Sequence, residues 1–285
     1  MARRAQRSRS AAGAVVAITG AARGMGELYA RRAAGEGAAA IALWDMDAEL
    51  TAKLASELEA TGVTVRSYLV DVSDQTQVAE GAARMLAELG VPDILVNNAG
   101  IVRGVPFWEH DPTRDIEATM RVNTLAPMWL TRELLPAMMA DRQRPKRILN
   151  IASAAGTLAN PNMSVYAASK WAMIGWSDSL RLELARSAPG TVAVTTFCPS
   201  YVSTGMFSGA RGPLLTPIMT PEQAVDAAWT GMLAGTPFVL KPWTVKLAMA
   251  LRGGLPTAVW DLVADRVFKV YSSMDHFVGR GPAPQ

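Results

Sequence analysis

A tyrosine and a lysine four positions apart are the side chains with the clearest chemical potential in this sequence. Tyr166 and Lys170 lie in a predicted helix over residues 165–186, and this spacing places both side chains on one face, about 6 Å apart. Free tyrosine has a pKa of about 10, and a neighbouring ammonium group lowers it by stabilising the phenolate. Tyr166 could therefore take a proton from an alcohol, or return one to a ketone, near neutral pH. Because the same spacing is common on ordinary helix surfaces, the pair needs support from the rest of the chain.

A glycine-rich turn near the start of the chain could hold a phosphate group. It follows a predicted buried strand over residues 14–19 and opens a predicted helix over 24–36. Glycine lets the backbone approach a phosphate closely, and the N-terminus of a helix directs N–H groups and the positive end of its dipole at an anion. The spacing differs from the GxGxxG fingerprint, and a plain strand-to-helix turn would also explain the glycines. The candidate dinucleotide contacts in this turn are Thr19, Gly20, Arg23, Gly24, Met25 and Gly26.

An acidic residue at the end of the second predicted strand bears on the choice of dinucleotide. The carboxylate of Asp45 could accept hydrogen bonds from ribose hydroxyls and repel a 2′-phosphate, which favours NAD over NADP. Arg23 argues the other way, because a basic side chain beside the turn could pair with that phosphate. The residue after Asp45 is Met46, so no basic group follows directly. Asp45 could instead cap the next helix, although Asp47 is also placed for that role.

These groups need a framework that brings distant segments together. Short β-branched runs alternate with longer helical stretches, which predicts an α/β fold with a doubly wound parallel sheet of about seven strands and helices on both faces. The predicted strands are residues 14–19, 39–44, 64–70, 93–97, 147–152, 192–198 and 238–241, and the predicted helices are 24–36, 48–61, 75–89, 113–140, 165–186 and 221–234. With neither a linker nor a repeat inside, we expect one catalytic domain over residues 13–285. A disordered basic tail over residues 1–12 is expected before this domain. The last part of the domain, residues 236–285, is expected to be an extension on the substrate side.

The ordered series of motifs resembles the short-chain dehydrogenase/reductase family over nearly the whole chain, from about residue 14 to residue 240. The motifs are TGxxxGxG from Thr19 to Gly26, Asp71-Val72 after the third strand, Asn97-Asn98-Ala99-Gly100 after the fourth, then Asn123, Ser153 and Tyr166-Ala167-Ala168-Ser169-Lys170. This resemblance implies a Rossmann-like fold and an NAD-dependent hydride transfer between nicotinamide and an alcohol or ketone.

The resemblance also implies roles for single residues. A catalytic tetrad maps onto Asn123, Ser153, Tyr166 and Lys170, in which Ser153 bonds the substrate oxygen and Asn123 holds a water that leads to Lys170. Lys170 would in addition bond the nicotinamide ribose. Asp71 and Val72 would meet the adenine, while the cofactor would be lined by Asn98, Ala99 and Gly100.

The segment after the sixth strand departs from the family pattern. The family usually has Pro-Gly there, followed by a threonine that contacts the carboxamide. Here Pro199 is followed by Ser200, and then come Val202 and Thr204. We expect Pro199, Val202 and Thr204 to contact the cofactor. Because Ser200 has a Cβ where the family usually has glycine, the backbone of this turn must adopt a conformation that serine allows.

Two apolar segments are candidates for binding the substrate. The loop over residues 203–220 could close over the site as a lid or pack against the body. The stretch 236–271 carries Trp243 and Trp260, punctuated by Lys241, Lys246 and Arg252, and favours a hydrophobic cap or a segment lying at a membrane surface. Short runs at 43–45, 204–207 and 273–280 resemble the retinol and 17β-hydroxysteroid dehydrogenase-like subgroup, which implies a lipophilic alcohol or ketone as substrate.

Composition excludes several other classes of protein. Four of the 28 basic residues lie in the first ten positions, and the remaining 24 face 25 acidic residues, so no basic face for nucleic acid is expected. A single cysteine, Cys198, excludes an internal disulfide and favours a reducing, cytoplasmic location, which is compatible with peripheral membrane contact. Two histidines, His110 and His276, are too few for a histidine-rich metal site, so no metal is expected.

The function expected from these observations is an NAD-dependent oxidoreductase. A homodimer or homotetramer is expected, because the helices over 113–140 and 165–186 resemble those that pair between subunits in the family. Two alternatives stay open: a catalytically silent dinucleotide-binding regulator, and a serine hydrolase using Ser153. Neither histidine, however, stands in a recognisable nucleophile arrangement for a hydrolase.

Overall fold

The computed structural model describes residues 10–279, and within them seven strands form one parallel sheet. The strands are β1 (Val15–Thr19), β2 (Ala40–Asp45), β3 (Thr64–Leu69), β4 (Ile94–Asn97), β5 (Lys146–Ile151), β6 (Val192–Pro199) and β7 (Phe238–Lys241). Their order across the sheet is β3-β2-β1-β4-β5-β6-β7. The chain thus builds one half outward from β1 and returns to build the other from β4. Such a reversal leaves a crevice at the carboxyl ends of β1 and β4, where ligands bind in doubly wound folds.

Helices connect the strands and cover both faces of the sheet. They are α1 (Gly24–Gly35), α2 (Ala48–Glu59), α3 (Gln75–Leu89), α4 (Ala118–Met120), α5 (Ala126–Ala140), α6 (Ser164–Ser187), α7 (Pro221–Leu233), α8 (Trp243–Gly254) and α9 (Thr257–Leu262). Of the helices between residues 10 and 279, none combines the length and apolar character needed to cross a bilayer.

The predicted fold is confirmed, with element ends displaced by at most two residues. The predicted helix over 113–140 is one helical run from Pro112 to Ala140, but two π-helical turns interrupt its α-helical pattern, at Pro112–Glu117 and Arg121–Leu125. The apolar stretch after β7 forms α8 and α9. The first of these helices ends at Gly254, and the second begins directly after Pro256.

Two apolar layers hold the helices on the sheet. On one face, side chains of α1, α2 and α7 pack on the strands, and Tyr29 stacks on Trp229 with ring centroids 6.0 Å apart. On the other face lie α3, α5 and α6, and Trp44 of β2 stacks on Tyr68 of β3 at 5.3 Å. Each fully buried large apolar side chain stabilises the fold by about 1.5–3 kcal/mol. Since helices cover both faces of the sheet, the strands carry apolar side chains on both faces.

The boundary of the expected basic tail differs from the prediction. Residues 1–9 of that tail lie outside the described part of the chain, but Ala11 is fully buried. Its N–H donates to the carboxylate of Glu36 at 2.8 Å, and Glu36 also accepts from the indole N–H of Trp229. Residues 10–12 therefore belong to the folded body.

Candidate active site

The turn after β1 has the backbone geometry of a phosphate cradle. Gly24, the first residue of α1, has a φ of +58°, which residues with a Cβ rarely adopt. A Cβ on Gly26 would lie 1.9 Å from the carbonyl oxygen of Gly20, so only glycine permits this close contact between turn and helix. Arg23, the residue before α1, makes no side-chain cap, whereas α2 and α3 begin at the aspartate caps Asp47 and Asp74. The first N–H groups of α1 lack such a carboxylate, as an anion-binding helix end requires.

Thr19 and Asn98 lock this turn onto the end of β4. The Thr19 hydroxyl accepts the N–H groups of Asn98 and Ala99, both at 3.0 Å. The amide of Asn98 donates in return to the carbonyls of Thr19 and Gly20, at 3.0 and 3.1 Å. Thr19 and Gly26 are themselves buried beneath the turn, so the structure places them as supports of the cradle rather than in its lining.

The sequence left open whether Asp45 or Asp47 caps the helix after β2, and the structure gives the two residues different contacts. Asp47 caps α2 by accepting the N–H of Leu50 at 3.1 Å, and it also pairs with the guanidinium of Arg23 at 3.2 Å. Asp45 accepts N–H groups from Ala22 at 2.9 Å and from Met46 at 2.8 Å, and it lines the cleft. Arg23 therefore already has a carboxylate partner, while Asp45 presents its charge at the end of β2.

A cleft runs from this turn along the carboxyl ends of the strands. Among the predicted cofactor contacts, Asp71, Val72 and Gly100 lie along its wall. The Asp71 carboxylate also accepts the N–H of Ser73 at 2.9 Å, which holds the loop after β3. The predicted contacts that line the cleft are Gly20, Arg23, Gly24, Met25, Asp45, Asp71, Val72, Asn98, Ala99, Gly100, Tyr166, Lys170, Pro199, Val202 and Thr204.

The side chains expected to transfer the proton lie where α6 meets the end of β5. The Ser153 hydroxyl accepts the N–H of Ala155 at 3.1 Å, at the start of a 3-10 turn, and lies within hydrogen-bonding reach of the Tyr166 phenol. The ammonium of Lys170 lies 5.7 Å from the centroid of the Tyr166 ring and donates to the carbonyl of Ile151 at 2.9 Å. All three side chains are buried. The structure thus brings Ser153, Tyr166 and Lys170 together beside the cleft.

Burial shifts the proton affinities in this group. It raises the pKa of the Tyr166 phenol above its usual value, and the contact with Ser153 opposes that rise. It lowers the pKa of Lys170 from 10.5 to about 8. The expected lowering of the Tyr166 pKa does not appear in the protein by itself, because removal of the phenol from water raises that pKa.

Asn123 is placed differently from the other three residues of the expected tetrad. Its side chain is fully buried: the amide oxygen accepts the N–H of Ile101 at 2.8 Å, and the amide nitrogen donates to the Ile101 carbonyl and to Ser169. The amide therefore ties the loop after β4 to α6 and does not line the cleft. Asn123 lies in the π-helical turn before Pro127, and because proline has no N–H it cannot give the Asn123 carbonyl its α-helical hydrogen bond.

The segment after β6 accommodates serine in place of the usual glycine without backbone strain. Ser200 does not have a positive φ, and its N–H donates to the carbonyl of Lys241 in β7 at 2.8 Å. Pro199, Val202 and Thr204 line the cleft, with Thr204 facing Gly24 across the glycine turn.

A second, mainly apolar cavity adjoins the cleft at Ser153, Ser200 and Phe207, which line both. Phe207 packs edge-on against Tyr166 with ring centroids 5.8 Å apart. The two apolar segments identified in the sequence contribute unequally. The cavity walls include Phe207, Pro213, Leu215, Trp243, Val245 and Leu247. Met219 is buried in the main core and Trp260 packs against Leu158, so these two belong to the body rather than to a lid.

Several cleft residues were not among the predicted cofactor contacts. Met46, Val70 and Ala152 directly follow strands, and that position is a signal that identifies them in the sequence. Trp44 and Ile151 lie near the carboxyl ends of β2 and β5. The others reach the cleft through loop conformation or helix packing, which no local pattern reveals. The additional cleft residues are Trp44, Met46, Val70, Ile101, Val122, Ile151, Ala152, Ser200, Met206 and Phe207.

Known proteins share both the sequence and the fold. A family model described as short chain dehydrogenase matches residues 14–213. Estradiol 17-beta-dehydrogenase 11 of Pongo abelii is 34% identical over 252 residues, which cover 88% of this chain and 82% of that protein. Epidermal retinol dehydrogenase 2 of Mus musculus is 33% identical over 277 residues, which cover 95% and 87%.

Solved structures with different dinucleotides are also similar. A short-chain dehydrogenase/reductase from Burkholderia phymatum in complex with NAD matches with a TM-score of 0.77 and 26% identity, covering 86% of this chain and 94% of that one. A metagenomic short-chain oxidoreductase in complex with NADP matches with a TM-score of 0.67 and 31% identity, covering 80% and 95%.

The buried ammonium of Lys170 should give folding stability a distinctive dependence on pH. Its pKa is about 8 in the folded protein and about 10.5 when unfolded. Below pH 8 both states hold the proton and the full cost of burying the charge is present. Between those values only the unfolded state keeps the proton, so stability rises with pH, by on the order of 3 kcal/mol from this group.

Urea unfolding of wild type and Lys170→Met at pH 7 and pH 10 measures this contribution. The free energy of unfolding of wild type, relative to the variant, should increase between the two pH values. Lys246→Met, which removes an exposed lysine, is the control and should not change this pH dependence. The prediction would be contradicted if the free energies of unfolding of wild type and Lys170→Met differed by the same amount at both pH values.

Proposed function

Because the chain belongs to the short-chain dehydrogenase family, we propose that its buried Ser153, Tyr166 and Lys170 act on an apolar alcohol or ketone. As a member of that family it is an oxidoreductase that acts on alcohols with a nicotinamide dinucleotide. The observation that carries the residue assignment is position: the phenol of Tyr166 lies where the dinucleotide cleft meets the apolar cavity. The site contains no feature that favours a silent regulator.

Two side chains act on the substrate oxygen in different ways. Ser153 holds that oxygen by a hydrogen bond, and Tyr166 receives the alcohol proton or returns one to a ketone. A bound oxidised nicotinamide supplies the acceptor for hydride together with further positive charge beside the phenol. Burial keeps the phenol of Tyr166 protonated at neutral pH, the form that donates to a ketone. Alcohol oxidation therefore needs more positive charge beside Tyr166 than Lys170 alone provides.

Lys170 connects this step with the protein interior. Its ammonium donates to Ile151, and the two remaining hydrogens are available to a ribose hydroxyl and a water. We propose that the Asn123 carbonyl, rather than its amide, holds that water, because both ends of the amide are already bonded to Ile101 and Ser169. The amide of Asn123 then positions the carbonyl by fixing the turn to Ile101 and Ser169.

Tyr166→Phe tests the proton-transfer role. Loss of the hydroxyl should lower kcat by on the order of 10²–10⁴-fold while dinucleotide binding stays within a few-fold of wild type. Steady-state kinetics on a panel of retinoid, steroid and long-chain alcohols, with calorimetry for the dinucleotide, measures both. Tyr271→Phe makes the same chemical change outside the cleft and is the control. Turnover by Tyr166→Phe at the wild-type rate would refute the assignment.

We propose NAD as the preferred dinucleotide. A carboxylate at the end of the second strand disfavours a 2′-phosphate; Asp45 lies there in the cleft wall, and Arg23, the cation beside the turn, is already paired with Asp47. Both features disfavour NADP by charge repulsion and by the loss of a free cationic partner.

Calorimetric titration should give at least about tenfold tighter binding of NAD than of NADP, which is about 1.4 kcal/mol. Asp45→Asn removes the charge and should reduce that ratio, chiefly by strengthening NADP binding. Asp47→Asn frees Arg23 and should strengthen NADP binding as well. Equal affinity of the wild-type protein for the two dinucleotides would exclude the proposal.

The substrate is proposed to be lipophilic, of the retinoid, steroid or long-chain alcohol type. The names of the two relatives refer to retinol and to estradiol, and the second cavity here has largely apolar walls. Burying an apolar skeleton against these walls supplies binding energy in proportion to the area removed from water.

The rim of the apolar cavity has the character of a membrane-binding surface. Leu215 and Trp243 are about two-thirds exposed there, and Lys241, Lys246 and Arg252 are exposed nearby. The segments 211–219 and 241–254 contain no acidic residue. We propose a cytoplasmic enzyme that binds reversibly to anionic membranes through this rim, since apolar and cationic side chains both favour such a surface.

Co-sedimentation with vesicles of phosphatidylcholine, with and without phosphatidylserine, tests the membrane proposal. Binding should require the anionic lipid and fall several-fold in the double variant Trp243→Ser, Lys246→Glu. The matched control is Trp108→Ser, which alters an exposed tryptophan in the loop after β4. The proposal would be overturned if the wild-type protein bound neither kind of vesicle.

The outer face of α6 supports a homodimer or homotetramer. Trp171 and Leu182 are nearly half exposed, and with Gly175 they lie on one side of the helix. Light scattering at micromolar concentration should give a multiple of the 30.4 kDa chain mass, and Leu182→Glu should reduce it. A monomer mass for the wild-type protein would contradict this proposal.

A further inference from the structure

The hydroxyl of Ser200 differs from the other polar groups in the wall of the apolar cavity. Seven polar side chains line this cavity, and six of them have hydrogen bonds to other groups of the protein. The six are Ser153, Asn160, Tyr201, Thr216, Thr244 and Ser273. The Ser200 hydroxyl has no hydrogen-bonding partner among residues 10–279. Within that part of the chain, it is the polar group of the wall that is free to bind a ligand.

This hydroxyl is also accessible. Ser200 is partly exposed, and its oxygen is not one of the fully buried side-chain atoms that lack a partner. An oxygen that has no partner and is not buried retains accessible surface. The backbone N–H of Ser200 is already bonded to Lys241. Because the residue lines both the cleft and the apolar cavity, a ligand at their junction can reach the hydroxyl.

Ser200 lies close to Ser153, at the ends of two neighbouring strands. In the parallel pairing of β5 with β6, Ile151 is opposite Phe197, and two residues further on Ser153 lies beside the residue that precedes Ser200. Neighbouring strands are about 4.8 Å apart. Both serines line the cleft as well as the cavity. The Ser153 hydroxyl lies within hydrogen-bonding reach of Tyr166, so the Ser200 hydroxyl is placed for a second oxygen next to the reacting one.

We propose that the Ser200 hydroxyl binds a second oxygen of the substrate, on the carbon next to the reacting carbon. This inference rests on the proposed function, because it takes Ser153 and Tyr166 as the groups that hold the reacting oxygen. The substrate is then a lipophilic vicinal diol or α-hydroxy ketone, since two oxygens on adjacent carbons match two hydroxyls on adjacent strands. Elsewhere in the cavity the polar groups are already bonded to one another, so a second oxygen would lose its hydrogen bonds to water without replacement.

The cofactor is a less suitable partner for Ser200. Val202 and Thr204 line the cleft alone, whereas Ser200 and Tyr201 extend into the apolar cavity. The side of the junction that Ser200 reaches therefore favours the substrate over the nicotinamide carboxamide. The two partners predict different effects of removing the hydroxyl, because only the carboxamide would make dinucleotide affinity depend on it.

Octane-1,2-diol and 2-methyloctan-1-ol are a matched pair, because a methyl group in the second replaces a hydroxyl in the first. Calorimetry with the full chain saturated with NADH, which cannot oxidise an alcohol, measures their binding without turnover. In Ser200→Ala the ratio of the two affinities should shift against the diol by at least about fivefold, since its second oxygen loses its partner. Ser200→Gly should give the same shift.

A control variant separates this contact from a general effect on the cavity. Thr244→Val removes another hydroxyl of the same wall and should leave the ratio within about twofold of wild type. An affinity ratio that is the same in wild type and Ser200→Ala would overturn the inference, as would failure of both alcohols to bind. Loss of NADH affinity in Ser200→Ala with an unchanged ratio would also overturn it and would assign the hydroxyl to the carboxamide.

Turnover of the same alcohols with NAD is a separate measurement. Its failure counts against the proposed function, whereas the affinity ratio bears on Ser200 alone.

Discussion

The hydrogen bond from Lys170 to the carbonyl of Ile151 is the contact on which the dimensions of this site depend. It joins the longest of the described helices to the last residue of a central strand, at 2.9 Å, only two residues before Ser153. The adjoining turn packs so closely that a Cβ on Gly156 would lie 2.7 Å from the backbone carbonyl of Lys170. Ser153 and Tyr166 therefore meet because helix and strand are held at this separation.

Buried polar contacts extend this attachment along α6. Ser169 receives the amide of Asn123, and Ser177 receives the amide of Asn150, whose oxygen in turn accepts the amide of Asn97. The first contact joins α6 to the π-helical turn before α5, and the others join it to β5 and, through Asn150, to β4, in an otherwise apolar layer. Each bond is individually modest, but a buried partner left alone would be costly. They restrict α6 to one position on the sheet, as a site that needs sub-ångström placement requires.

Local patterns were sufficient for the elements and for most of the cleft. The alternation of strands and helices, the glycine turn and the acidic end of β2 each follow from a few neighbouring residues, and the structure places them as predicted. Properties that depend on tertiary packing did not follow. The amide of Asn123 is occupied because the loop after β4 folds back on it. The pKa of Tyr166 rises because the whole surrounding body excludes water. Ala11 is buried because Glu36 and Trp229 are positioned by two helices distant in sequence.

Phe207 has a consequence for how fast and how cleanly such a site can work. Its ring is a shared wall, in contact with Tyr166 on the cleft side and with Tyr201 and Phe277 on the other. Because the ring lines both the cleft and the apolar cavity and packs on Tyr166, a movement that widened the passage for a product would also uncover the phenol. Speed of release and protection of the proton are thus coupled through one side chain. A larger residue at this position would tighten the seal and slow the exit, and a smaller one would do the reverse.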